Sequence, residues 1–411
     1  MIVRFRRWLS GFIAWAAPIV FLAVSTVGLV SVINYFTVNP FGYDFFAYQD
    51  AAVRLSDGGS PYLPTLLNGT SSTVEEGAYL YPPLLAQLLV PLTALSDVVA
   101  YAIFSLVGLV AFTLASLLLW RHTGGRVTPV GVIFAGAILI CLQPFYSTLL
   151  NGNLGLLLTA CVSLAIVGSP LLAGVIGGLL KVVPGALLLM TRPRDLSRRA
   201  LLAVALIFSG SLLLSPTAWQ TYLFTALPAT IVNSDPVGDG GNLAALARRA
   251  RTTAEIRSIN NTPITEAQRD LVRRAGWTRP LPSEVLIWIG SLETPLRLVS
   301  LLLAAILLPL GVRTAQDRRR RHLAAAYLTV GGLLLPWTLW EHYLVVLFPI
   351  VAIAWRLGDT RARVSLVAGL LLLTPLATAL FGPFLCLIPS MFLLLDGIRR
   401  TQLPEAPHLT R

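Results

Sequence analysis

A chain of 411 residues that is 55% hydrophobic and only 12% charged, with a mean hydropathy of +0.75, is not a soluble globular domain. Its net charge of +12 would suit nucleic acid in a soluble protein. Here the arginines sit in short breaks between apolar runs, where they set membrane topology instead, so no nucleic-acid partner is expected.

Arg4, Arg6 and Arg7 precede an apolar stretch from Gly11 to about Phe36. It is too long for the core of a signal peptide and has no small-x-small cleavage site, so it reads as a retained first span. Residues 37–97 form a first outer segment. Within it, Phe45, Tyr48, Ala52 and Leu55 share one side at near-helical spacing, which predicts an amphipathic helix from Asp44 to Leu55 lying at the interface. Asp57-Gly58-Gly59-Ser60-Pro61 stops it. A short apolar piece follows from Tyr81-Pro82-Pro83 to Leu95.

Further apolar runs fall near 98–120, 128–150, 153–168, 200–222, 285–310, 323–340, 343–357, 363–381 and 383–398. Residues 170–190 are interrupted by Lys181-Val182-Val183-Pro184, and neither half reaches the roughly 20 residues of a full crossing. This piece predicts a re-entrant helical hairpin that enters and leaves on one side. The expected fold is an all-α integral membrane protein, one polytopic domain over 1–411 with about 10–12 transmembrane helices. Cys141, Cys161 and Cys386 lie within apolar runs and read as small core residues, without metal-ligand or disulfide spacing.

With the N-terminus cytoplasmic and both short pieces failing to cross, five arginine clusters fall inside together. They are Arg121/Arg126, Arg192 to Arg199, Arg313 to Arg321, Arg356 to Arg363, and Arg399/Arg400. Both termini are then cytoplasmic. The second outer segment, 224–283, carries eight arginines, but long loops translocate largely regardless of charge.

This topology collects Asp44, Asp50, Asn151-Gly152-Asn153, Asn242 and Glu341-His342 on one face, although it was drawn from arginines alone. A carboxylate at the headgroup level is partly desolvated, which raises its pKa toward the working pH of a general base. Bland readings stand beside that one. Asp44 is also a good N-cap for the interfacial helix, and Asp50 suits a solvated helix face. Asn151 and Asn153 suit a tight turn. Lys181 is either a buried partner of a carboxylate or a cation that snorkels to the cytoplasmic surface. Ionisable groups inside an apolar stretch, such as Glu341 and His342, are functional by default.

No phosphate-binding loop, dinucleotide fingerprint, H-E-x-x-H or nucleophile elbow is present, and every cytoplasmic loop is short. A substrate must therefore arrive through the membrane or from its far side. A transporter would hold its ionisable groups near the bilayer midplane, whereas these gather at one surface.

Several stretches taken in order resemble glycosyltransferase family 87. They are Asp44-Phe45-x-x-Tyr48-x-x-Ala51-Ala52, Gly59-Ser60-Pro61-Tyr62, Tyr81-Pro82-Pro83-Leu84, Asn151-Gly152-Asn153-Leu154, Gly178-Leu179-Leu180-Lys181-Val182-Val183-Pro184, and His342-Tyr343-Leu344-Val345-Val346-Leu347-x-Pro349. The chain departs from the family where Gly-Gln often precedes the asparagine, and at Gly241-Asn242-Leu243 in place of Asn-Gln-Ser.

The resemblance implies a GT-C-type membrane bundle that moves a hexose from polyprenyl-phospho-mannose, with inversion, to a glycolipid or glycan acceptor. It implies Asp44 as the general base and His342 as support for the leaving lipid phosphate. Tyr48, Arg54, Tyr81, Asn151, Asn153, Lys181, Asn242 and Glu341 are the expected substrate contacts. A polyprenyl-phospho-arabinose donor and a lipid-linked-sugar flippase are the rival readings. No cofactor and no metal are expected, and the place of action is a bacterial inner membrane with the site extracytoplasmic.

Overall fold

The protein is seen here in a computed structural model that describes residues 42–67, 79–228, 291–335, 341–374 and 383–403, with isolated positions 26, 30, 33, 287, 288 and 377. The predicted first span over 11–36 and the second outer segment beyond residue 228, with Asn242, lie outside these.

Every regular element among the described residues is helical, with no strand. Leaving aside four pieces of three to five residues, in chain order they are α1 (Tyr43–Ser56), α2 (Pro83–Leu89, running on as a 3-10 turn Val90–Ala94) and α3 (Asp97–His122). Next come α4 (Pro129–Ile140), α5 (Gln143–Asn151), α6 (Gly155–Val167), α7 (Pro170–Leu180, followed by a 3-10 helix Val183–Met190) and α8 (Arg198–Leu214). The last are α9 (Pro216–Thr221), α10 (Glu293–Thr314), α11 (Arg321–Leu334), a 3-10 segment Glu341–Leu347, α12 (Phe348–Leu357), α13 (Thr360–Leu372) and α14 (Pro383–Arg399).

Local chemistry explains where several of these begin and end. Thr128, Ser197 and Asp359 accept the backbone N–H three residues on, capping α4, α8 and α13. Proline in the first turn of α5 and α9 cannot extend the preceding helix. The chain bends there, by 81° between α4 and α5 and by 97° after α8. The apolar run 128–150 is thus two helices rather than one.

Two described helices, α3 and α10, are long and apolar enough to cross a membrane, or up to four spans if each bent pair counts as one. Among the described residues, single helices thus account for only some of the ten to twelve crossings expected from apolar runs, and the first expected span lies outside these residues. Helices α6, α7 and α12 are shorter than the roughly 20 residues a crossing takes.

The outer surface carries the membrane signal. Along α3 the inward positions are Ala100, Tyr101, Phe104, Gly108, Phe112, Ala115 and Leu119. Val98, Val99, Leu106, Val107, Val110 and Leu114 point outward and are largely exposed. Soluble proteins rarely leave so large an apolar patch in water. In lipid the outward face is solvated by acyl chains, and small inward residues let helices approach closely.

The predicted hairpin is present. Helix α7 packs against the 3-10 helix Val183–Met190 along three glycines. A Cβ on Gly174 would lie 2.5 Å from the Leu188 backbone nitrogen, one on Gly177 2.8 Å from Pro184 Cβ, and one on Gly178 3.2 Å from Gly185 Cα. Only glycine admits so close a return.

Arginine loops from distant parts of the chain meet at one end of the bundle. Arg321 pairs with Asp195 at 3.1 Å, both side chains nearly buried, and the Leu403 N–H donates to the Arg319 carbonyl. His322 and Thr401 share a 2.8 Å hydrogen bond. Arg356 reaches the Thr123 hydroxyl at 2.8 Å and lies over the Trp120 ring. Loops 121–127, 191–199, 313–321, 356–361 and 399–403 thus share an end, as the arginine pattern predicted.

Candidate functional site

The opposite end gathers polar groups that the chain keeps far apart in sequence. Helix α1 starts at Tyr43, after Gly42 in a left-handed conformation at φ 73°, with no side-chain cap. Asp44 therefore stands in the first turn and is not the N-cap, and the positive end of the helix dipole favours its ionised form. Its Oδ2 accepts a 2.8 Å hydrogen bond from Asn153 Nδ2.

Two close approaches make that contact possible. The Gly42 N–H donates to the Leu150 carbonyl at 2.9 Å, joining the start of α1 to the end of α5. Gly152 follows at φ 64°, and a Cβ there would come within 2.6 Å of Phe45 Cβ. Only glycine combines that dihedral with that clearance. Asn153 is also locked by its own Oδ1, which accepts the Gly155 N–H at 2.9 Å.

The polar chain continues from Asn153. Its amide also reaches the Tyr48 hydroxyl at 3.4 Å, and that hydroxyl donates to Tyr81 Oη at 3.3 Å. Lys181 Nζ donates to the same Tyr81 oxygen at 3.4 Å. Lys181 sits at the hairpin apex and is buried. Its ammonium lies 3.6 Å from the centroid of the Tyr343 ring and 5.0 Å from that of Tyr81, as cation–π contacts. Lys181 is thus buried against tyrosines at this end of the bundle and acts on Asp44 through its charge, not through a direct ion pair, and it does not snorkel to the other face.

Tyr62 and Tyr79 pack around this group. Tyr79 meets Tyr48 edge-on and Tyr62 stacks on Tyr222. The result is a tyrosine-walled polar cluster that holds, among the described residues, the Asp44 carboxylate and the Lys181 ammonium. Burial pushes the Asp44 carboxyl above its ordinary value, while the Asn153 hydrogen bond and the positive charge of Lys181 pull it part of the way back.

Asp44, Tyr48, Tyr81, Asn153 and Lys181 thus come together. Arg54 does not join them; its guanidinium donates to the Pro61 carbonyl at 3.2 and 2.8 Å and closes the turn after α1. Asn151 points along its own helix to Ser147 Oγ at 3.4 Å, so the two asparagines of one turn do different work. The backbone of Glu341 and His342 belongs to the 3-10 segment that packs on α5 and α6, but their side chains lie outside the described residues, as does Asn242. Tyr343, which the sequence reading did not single out, supplies the ring beneath Lys181. Its position beside His342, in the only polar break of that apolar stretch, was the available signal. Among the described residues no three of His, Cys, Asp and Glu converge.

Comparison with known proteins gives one family. The model of glycosyltransferase family 87 matches residues 79–339. No curated protein and no solved structure matches the chain.

Proposed function

The chain belongs to glycosyltransferase family 87, and from that premise we propose that it moves mannose from a polyprenyl-phosphate donor to a glycolipid or polysaccharide acceptor. The observation that carries this reading is the Asp44 carboxylate, held through Oδ2 by Asn153 and faced by the ammonium of Lys181. A base and a cation linked through one chain of polar groups suit a displacement in which a proton is removed and an anion departs.

In the proposed reaction the acceptor hydroxyl gives its proton to Asp44 Oδ1. Its oxygen forms the new bond to the anomeric carbon as the bond from that carbon to the phosphate oxygen breaks. The electron pair leaves with the lipid phosphate, and attack from the opposite side inverts the configuration. Negative charge grows on the departing phosphate, so a preorganised cation lowers the barrier. Lys181 fills that role in our reading, oriented by Tyr81 and Tyr343. His342, one residue before Tyr343, remains a second candidate. Asn153 holds the base, and the Tyr48 hydroxyl braces the Asn153 amide.

The arginine end faces the cytoplasm in this reading, which puts the polar cluster toward the extracytoplasmic side of a bacterial inner membrane. A lipid-borne donor reaches such a cluster laterally, so no nucleotide-binding domain is required. The test is turnover by the purified protein in lipid with labelled polyprenyl-phospho-mannose, a polyprenyl-phospho-arabinose arm and a panel of glycolipid acceptors. Formation of an inverted mannoside is the expected result. Transfer of arabinose alone would reassign the donor, and movement of intact donor across the bilayer without transfer would overturn the reaction.

A further inference from the structure

We propose that the arginine end carries a second site, which binds the phosphate of an anionic membrane lipid. A cavity of about 610 Å³ opens there between α10, α11 and the end of α14, lined by Leu310, Arg313, Asp317, Arg320, Tyr327 and Arg400 among others. Arg399 also borders it.

The charge inside favours an anion. Asp396 accepts from Arg399 at 2.7 Å and from Arg400 at 3.0 Å, which fixes two guanidinium groups in place. Asp317 stands 3.7 Å from Arg320. Asp359 also acts on Arg400, while Arg318 and Arg319 add positive charge on the same turn. Arg313 has no acidic partner among the described residues. Guanidinium groups bind phosphate oxygens through paired N–H donors, and the Tyr327 ring edges the same space.

The surface leading to the cavity fits a lipid rather than a free ion. Leu298, Leu302, Ile306 and Leu310 are exposed at successive turns of α10. At this i, i+4 spacing they make one apolar stripe that runs down the helix and ends at Arg313. An acyl chain laid on the stripe delivers its headgroup phosphate to the arginines. Basic pockets between membrane helices on the cytoplasmic side recognise anionic headgroups in this way. The Asp44 cluster is built at the opposite end of the bundle, so the site does not depend on the proposed reaction.

The test is native mass spectrometry of the full-length protein taken from vesicles of equal phosphatidylglycerol and phosphatidylcholine. Preferential retention of phosphatidylglycerol is expected. Arg313→Gln and Arg320→Gln each weaken that retention about fivefold, which corresponds to the ~1 kcal/mol of one arginine near an anionic surface. Arg313→Lys, which keeps the charge, retains the preference. Equal retention of both lipids by the wild-type chain would overturn the proposal, as would unchanged retention in the glutamine variants. Displacement of the lipid by millimolar inorganic phosphate would convert the site to one for free anions. If the glutamine variants fail to fold, the competition between the two lipids on the wild-type protein decides alone.

Discussion

Asn153 donates a 2.8 Å hydrogen bond to Asp44 across 109 residues of chain. That bond joins α1 to the turn between α5 and α6, and it fixes which carboxylate oxygen is left to take a proton. Replacing Asp44 with Asn keeps the shape and removes the base. Transfer is then expected to fall by about 10²–10⁴-fold, the usual contribution of a positioned base, while binding of labelled donor survives. Wild-type turnover in Asp44→Asn would remove Asp44 from the mechanism.

The acid side of the pH–rate profile should track this carboxyl. Asp44 must be ionised to accept a proton, and burial raises its pKa, so activity is lost on acidification above the ordinary carboxylate range. The Asn153 amide and the Lys181 charge both favour the ionised form. Asn153→Ala and Lys181→Met should therefore move the acidic limb to higher pH. Profiles at saturating donor check this, and a limb that stays in place or moves down contradicts it.

Gly152 sets the register between α5 and α6. Gly152→Ala must hold a side chain at φ 64° and place a Cβ against Phe45, at a cost of about 1–3 kcal/mol for the backbone alone. A lower melting temperature in detergent is expected, together with lost transfer, because Asn153 is displaced from Asp44. An alanine variant as stable and active as the parent would show that the turn tolerates both.

At the far end, Arg321 and Asp195 are a nearly buried pair at 3.1 Å. Asp195→Asn leaves the guanidinium without its counter-charge and should destabilise the protein by about 3 kcal/mol. Asp195→Leu combined with Arg321→Met should recover much of that loss, since an apolar pair replaces the ions. Thermal unfolding of the three chains measures it, and additive losses in the double variant would contradict the coupling.

Closure of the hairpin positions Lys181. Gly174→Val places methyl groups against the Leu188 backbone and should force the two arms apart. The expected outcome is a fall in turnover larger than the fall in stability, read by comparing transfer with melting temperature. A fall in both by the same proportion would assign Gly174 to packing only.

Hydropathy and arginine placement depend on the solvent and on local period. They were therefore legible in the sequence: an all-helical membrane chain, a helix starting at Asp44, the hairpin broken at Lys181, and the arginine loops sharing one end. Proline at the start of α5 and α9 was visible too, yet the sharpness of the bends was not, because their angles depend on what each helix packs against. The meeting of polar groups had no local signature. Asn151 and Asn153 are near-equivalent in sequence, and only the left-handed turn at Gly152 sends one to Ser147 and the other to Asp44. Arg54 likewise has the charge to meet a phosphate, but the fold ties it to the Pro61 carbonyl. Lys181 reads equally well as a surface cation until the glycine-packed hairpin carries it to Tyr81 and Tyr343. Composition and period determined that this chain is a helical membrane protein whose arginine loops share one end. Long-range packing, through backbone approaches that a single Cβ would block, decided which of its few charges face one another.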